Sequence, residues 1–204
     1  MPNFIEEMNT YVLSQHLWGF SYFGYWARKY PTDFISMAEI IHISQPDFII
    51  ETGTSAGGTT LFFATMLDVI GKGRVISIEL ERNVSGRNND TGDLPVHPRI
   101  DYLYGSSVSD EIYKQVEDII KTKDNPTILL NLDSDHRYEH VIKELEMYQK
   151  FVPDKGFIII EDTNTTGPDK ARDEFLEKNK DFSIYQPAER FLITLNPGGY
   201  LRRD

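Results

Sequence analysis

The stretch FIIETGTSAGG (residues 48–58) reads as a buried strand that runs straight into a glycine-rich turn. Turns of this kind at the end of a first strand receive nucleotides, and the residue types decide which. A P-loop needs a lysine after its second glycine, and Gly57-Gly58-Thr59 has none. A dinucleotide fingerprint needs a glycine at its third position so that a pyrophosphate can approach the backbone, and Ser55 stands there. Glu51 adds a further constraint, because a carboxylate two residues before Gly53 repels phosphate.

A cationic nucleoside removes the conflict. S-adenosylmethionine carries a sulfonium and an ammonium instead of phosphate, and both attract a carboxylate. Glu79 closes the next apolar run, 21 residues after Gly58, close to the spacing at which an acid accepts from both ribose hydroxyls.

Outward from this turn, short β-rich runs alternate with helical periodicity, which predicts an α/β fold with a doubly wound, Rossmann-like, mostly parallel sheet. The expected strands are DFIIET (47–52), RVISIEL (74–80), IDYLYG (100–105), TILLNLD (127–133) and GFIIIED (156–162). DFSIYQ (181–186) and RFLITLN (190–196) are expected to form a C-terminal antiparallel hairpin. Helices are expected after the first, third, fourth and fifth strands, with Ser109 or Asp110 capping the second of them and Pro168 in the first turn of the last. Two more, over residues 4–16 and 33–44, precede the sheet, so residues 1–45 form an N-terminal helical and aromatic segment ahead of a binding domain over 46–204. The loop 81–98 is long enough to be functional.

The 204 residues suit one domain. With 21 Lys plus Arg against 32 Asp plus Glu, the net charge of −11 argues against nucleic acid as a partner. No basic leader or apolar run of about 20 residues is present, so no membrane span and a cytoplasmic location are expected. The absence of cysteine leaves oxygen and imidazole as the only metal ligands.

Two further strands end in acids: Asp133 and Asp135 in LLNLDSDH, Glu161 and Asp162 in FIIIEDT. In a doubly wound sheet these ends share the crevice with the glycine turn. Several like charges there call for a hard cation, Mg2+ with Mn2+ or Ca2+ as alternatives, which can lower the pKa of a hydroxyl and align it with a methyl donor. His136 is placed to act as a base or to steer a carboxylate. The dense aromatics of HLWGFSYFGYW (16–26) are a lid, a subunit interface in a homo-oligomer, or packing, and Arg28 and Lys29 are cations for an anionic acceptor or the cofactor's carboxylate.

The blocks IIETGTSAGGTTLFFA, HPRIDYLYGSS, LDSDHRYEHVIKELEMY, GFIIIEDT, GPDKARDEFL and LITLNPGGYLRR, with GYWARKYPTDF upstream, resemble the cephalosporin hydroxylase / rhamnosyl O-methyltransferase family. The resemblance covers nearly the whole chain. It implies a class I S-adenosylmethionine-dependent methyltransferase sheet and divalent-metal-assisted O-methylation of a hydroxyl on a sugar or secondary metabolite. It puts the metal on Asp133, Glu161 and Asp162 and the cofactor on Glu51, Gly53, Gly57, Gly58 and Glu79, with Ser106 near the adenine; Thr54 and Asp133 are further candidates for the cofactor, and Asp133 and His136 are the catalytic candidates. Only NTT (164–166) separates EDT from GPDKA, where the family commonly has a longer insertion, which implies a more open acceptor pocket. Two other readings stand beside this one: a non-catalytic nucleoside-binding assembly module, and an NAD-dependent oxidoreductase, which Ser55 and Glu51 disfavour.

Overall fold

The computed structural model describes residues 7, 8, 10, 11, 19–82, 93–191 and 193–204, without the side chain of Glu189. Of the helix expected over 4–16, Glu7, Met8, Thr10 and Tyr11 are described and helical; the remainder, with Trp18 and residues 83–92 of the long loop, lies outside the described residues.

The chain enters through a short hairpin, β1 (Phe20–Tyr22) and β2 (Tyr25–Ala27), then α1 (Pro31–Ser44). The sheet proper follows: β3 (Phe48–Thr52), α2 (Gly58–Ile70), β4 (Arg74–Glu79), β5 (Ile100–Tyr104), α3 (Asp110–Ile120), β6 (Ile128–Leu132), α4 (Tyr138–Tyr148), β7 (Phe157–Ile160), α5 (Pro168–Lys178), β8 (Phe182–Ile184) and β9 (Tyr200–Arg203). Seven strands pair in the order β5-β4-β3-β6-β7-β9-β8. β3, β4, β5, β6 and β7 are parallel to their neighbours in that set, while β9 runs antiparallel to both β7 and β8. The order reverses at β3, so β3, β4 and β6 all deliver their carboxyl ends to one crevice.

Strand alternation sorts the core into two layers. Phe48, Ile50, Ile76, Leu130 and Ile158 face α3, α4 and α5. Ile49, Val75, Leu129 and Ile159 face α1 and α2. At about 25 cal/mol per Å2, each such buried aliphatic side chain contributes about 2 kcal/mol relative to exposure. Local signals agree with these elements: the Ser109 hydroxyl accepts from the Ile112 amide at 3.3 Å at the start of α3, and Pro168 opens α5.

One expectation needs correction. Residues 190, 191 and 193–196 do not form the hairpin strand; β9 takes that place. The polar groups of this run are committed elsewhere: the Leu195 amide donates to Asp33 at 3.2 Å, Thr194 donates to the same carboxylate, and the Asn196 side chain turns to Glu161. The aromatic segment contains the hairpin, whose turn uses Phe23 at φ 48° and Gly24 at φ 86°. Phe20 and Tyr22 lie edge-on to Phe34 at 5.0 and 5.8 Å, and Phe34 stacks on Phe62 at 4.1 Å. These two rings are therefore packing, whereas Phe23 is 79 % exposed.

Candidate active site

The glycine turn closes β3 against its neighbours, and its glycines answer first to chain packing. Gly53, at φ +85°, has the Asp133 carbonyl oxygen 2.0 Å from where a Cβ would sit, so it permits β3 and β6 to end side by side. At Gly58 a Cβ would meet the Trp26 carbonyl oxygen at 2.5 Å, so this glycine seats the β1–β2 hairpin on α2.

Beyond these strand ends lies a cleft of about 480 Å3. Gly53, Ser55, Glu79, Ser106 and Asp133 line it, joined by Ser107, Ser134, Asp135, Arg137 and His140. Glu79 accepts from the Ser55 amide at 2.7 Å through Oε2 and from the Leu80 amide at 2.9 Å through Oε1, which fixes its carboxylate at the rim. One wall is a polar network that sequence reasoning missed: the Ser107 and Ser134 hydroxyls donate to Glu144 Oε1 at 2.5 and 2.7 Å, and His140 Nε2 lies 3.0 Å from Ser107 Oγ. Arg137 grips Asp135 through Nε and Nη2, and that ion pair holds the Asp135 carboxyl at about 2. The i, i+3 and i+7 spacing of Arg137, His140 and Glu144 at the start of α4 was the available signal.

Glu51, Thr54, Gly57 and Gly58, expected around the cofactor, are not among the residues lining this cleft. Glu51 is wholly buried on the α1/α2 face, with Oε2 accepting from Thr60 Oγ1 at 2.5 Å and Ser77 Oγ at 2.6 Å. Its Oε1 has no hydrogen-bond partner, and burial pushes its carboxyl up to about 7 against the pull of the two hydroxyls.

The second set of acids adjoins the cleft through Asp133. Ligand atoms of Asp133, His136 and Asp162 all lie within 4.8 Å of one another. His136 Nε2 is 3.3 Å from Asp133 Oδ1, and its Nδ1 is 3.2 Å from Asp162 Oδ2. The Asp133 hydrogen bond, helped by the nearby carboxylates, raises the His136 pKa despite its partial burial. Two carboxylates and an imidazole at this separation fit a divalent cation.

Glu161, expected in the same set, faces inward instead. Its Oε1 lies 3.0 Å from Lys29 Nζ and its Oε2 accepts from Asn196 Nδ2 at 2.6 Å. The left-handed turn at Asp162, φ 53°, is where the chain leaves β7, and the Asn196 side-chain oxygen accepts from the Asp162 amide at 2.9 Å. Lys29 also reaches Asp133 Oδ2 at 2.7 Å. Burial disfavours the Lys29 charge, but Asp133 and Glu161 together outweigh it and hold its pKa well above the usual lysine value. Lys29 thus meets the protein's own acids, in place of the anionic acceptor or cofactor carboxylate expected from the sequence.

The family model of rhamnosyl O-methyltransferase/CmcI matches residues 14–204. The chain belongs to that family. Membership places it among the S-adenosylmethionine-dependent O-methyltransferases. A rhamnosyl O-methyltransferase of Mycobacterium leprae is 26% identical over 164 residues, spanning 79% of this chain and 69% of the relative. One of Mycobacterium tuberculosis (H37Rv) is 25% identical over 79% of this chain, and the match spans 64% of its length. Among solved structures, cmcI-D160 with Mg and SAM superposes with a TM-score of 0.66 at 16% identity, covering 91% of this chain and 76% of that one. That likeness establishes the class I methyltransferase fold, with its largely parallel sheet and C-terminal antiparallel pair.

Proposed function

We propose that this member of the family methylates a hydroxyl group of a sugar or a hydroxylated secondary metabolite, with S-adenosylmethionine in the cleft and a divalent cation at Asp133, His136 and Asp162. The observation that carries the reading is Asp133, which lines the cleft and also belongs to the acid–imidazole group, so donor and acceptor sites share one residue. The rhamnosyl O-methyltransferases among the relatives support a sugar hydroxyl as acceptor.

In this reading Glu79, held at the rim by two backbone amides, accepts from the ribose hydroxyls, and Ser106 lies beside the adenine. The turn from Gly53 to Ser55 forms the floor against which the donor's amino-acid end rests. A bound divalent ion would supply Lewis-acid polarisation of the acceptor hydroxyl. His136, with one ring nitrogen lent to the ion, would orient the acceptor oxygen between the two carboxylates that flank its ring, and the hydroxyl proton would leave to water. The polar wall of Ser107, His140 and Glu144 keeps the far end of the cleft fixed without rotatable freedom.

Transfer of radiolabelled methyl to a panel of rhamnosides and hydroxylated metabolites tests the reading. Label is expected in an acceptor with wild-type protein, and Asp133→Asn is expected to lower turnover at least about a hundredfold. Full turnover in chelator-treated buffer would remove the ion from the mechanism. Saturable S-adenosylhomocysteine binding with no transfer to any acceptor would favour the assembly-module reading.

A further inference from the structure

We infer that His140 and Asp135 read the base of the methyl donor: Nδ1 of His140 and Oδ2 of Asp135 together accept the two N–H bonds of the adenine 6-amino group. The inference deepens the placement of S-adenosylmethionine in the cleft and rests on it.

The cleft wall fixes which nitrogen of His140 is free. The Ser107 hydroxyl has one proton and donates it to Glu144 Oε1, so toward His140 Nε2, 3.0 Å away, Ser107 Oγ can only accept. Glu144 Oε1 lies 3.3 Å from the same Nε2 and, as a carboxylate oxygen already taking the Ser107 and Ser134 protons, offers no donor either. Nε2 therefore carries the proton, and in the neutral ring Nδ1 carries the lone pair. No hydrogen bond among the described residues reaches Nδ1, and Asp135 Oδ2 stands 4.0 Å from it, beyond hydrogen-bond reach.

Two acceptors so placed suit one donor with two hydrogens. Both His140 and Asp135 line the cleft, and the grip of Arg137 on Asp135 holds that carboxylate in place. A planar amine whose N–H bonds diverge by about 120° reaches acceptors about 4 to 5 Å apart at ordinary hydrogen-bond lengths. The adenine amino group is such a donor. Ser106, beside the adenine in the reading above, precedes the Ser107 that contacts His140, so the two acceptors stand at the base end of the cleft. Apolar surface for the purine face is present as well: Ile78 and Leu80 line the cleft on either side of Glu79, and Leu80 leaves 65 % of its surface uncovered, area that a stacked base would bury.

Calorimetric titration of the full chain with S-adenosylhomocysteine, and with its analogue carrying hydrogen in place of the 6-amino group, tests this without any turnover. Glu144 raises the His140 pKa despite partial burial, so the titrations are run at about pH 8.5 to favour the neutral ring. The wild type should bind the analogue at least about tenfold more weakly, because both acceptors then lose their donor. In His140→Phe, and separately in Asp135→Ala, one acceptor remains and the ratio should fall to about threefold or less. Thermal melts establish that each variant is folded. If His140→Phe does not fold, Asp135→Ala, at a side chain 33 % exposed, decides alone. The full wild-type ratio in either folded variant would overturn the proposal. Wild-type affinities within about threefold of each other would overturn it too, while leaving the cofactor's place in the cleft intact. No binding of either ligand to the wild type would bring down both.

Discussion

Replacing Glu51 with glutamine should change how stability depends on pH more than it changes stability at any single low pH. The carboxyl is fully buried, accepts from Thr60 and Ser77 through one oxygen, and has no partner on the other. Burial pushes its pKa up to about 7 from an ordinary 4.5. Between those values the folded state keeps the proton while the unfolded chain has released it. The contribution to stability is therefore complete below about pH 4.5, declines as pH rises, and is lost above about pH 7. At about 1.4 kcal/mol per pH unit, the loss between pH 5 and pH 8 is about 2 to 3 kcal/mol. Glu51→Gln preserves the side-chain volume and cannot ionise, so the loss should vanish. Urea unfolding of both proteins at pH 5, 6, 7 and 8 measures the difference directly. The variant should gain about 2 to 3 kcal/mol on the wild type across that range. Parallel stability curves would refute the burial argument and with it the placement of Glu51 beneath α2.

Two packing predictions follow from the approach of the hairpin to α2. Gly58→Ala forces a methyl toward the Trp26 carbonyl oxygen, 2.5 Å away, and should cost about 1 to 3 kcal/mol in a thermal or urea melt; no loss would mean that the hairpin is not seated there. Phe34→Ala removes the ring that stacks on Phe62 at 4.1 Å and carries Phe20 and Tyr22, and should cost about 3 to 5 kcal/mol by urea unfolding.

The parallel sheet was legible because its strands are short apolar runs separated by helical periods, and the acids at strand ends marked the crevice. Parity along β3 was also available: Glu51 alternates with Ile50 and shares a face with Ile49, which directs it under α2 and away from the cleft. The partners of Lys29 and Glu161 escaped the sequence reading because they are remote in the chain. Lys29 meets Asp133 across 104 positions, and Asn196 meets Glu161 across 35, so no local pattern records either pair. FLIT invites a strand assignment because its residue types suit one, but the polar atoms of Thr194, Leu195 and Asn196 go to Asp33 and Glu161, and tertiary hydrogen bonding prevails over propensity. Glu161 and Asp162 look equivalent in sequence, yet the positive φ at Asp162 separates a buried ion-pair partner from a residue facing the site.

The central claim is that the cleft beyond the parallel strand ends holds the methyl donor, gripped at its ribose by Glu79. Calorimetric titration of S-adenosylhomocysteine into wild-type protein and Glu79→Ala tests it most directly, with melts as a check on folding. Saturable binding to the wild type, weakened at least about tenfold in the variant, is the expected result. Equal affinity in the two proteins, or no binding to the wild type, would contradict it.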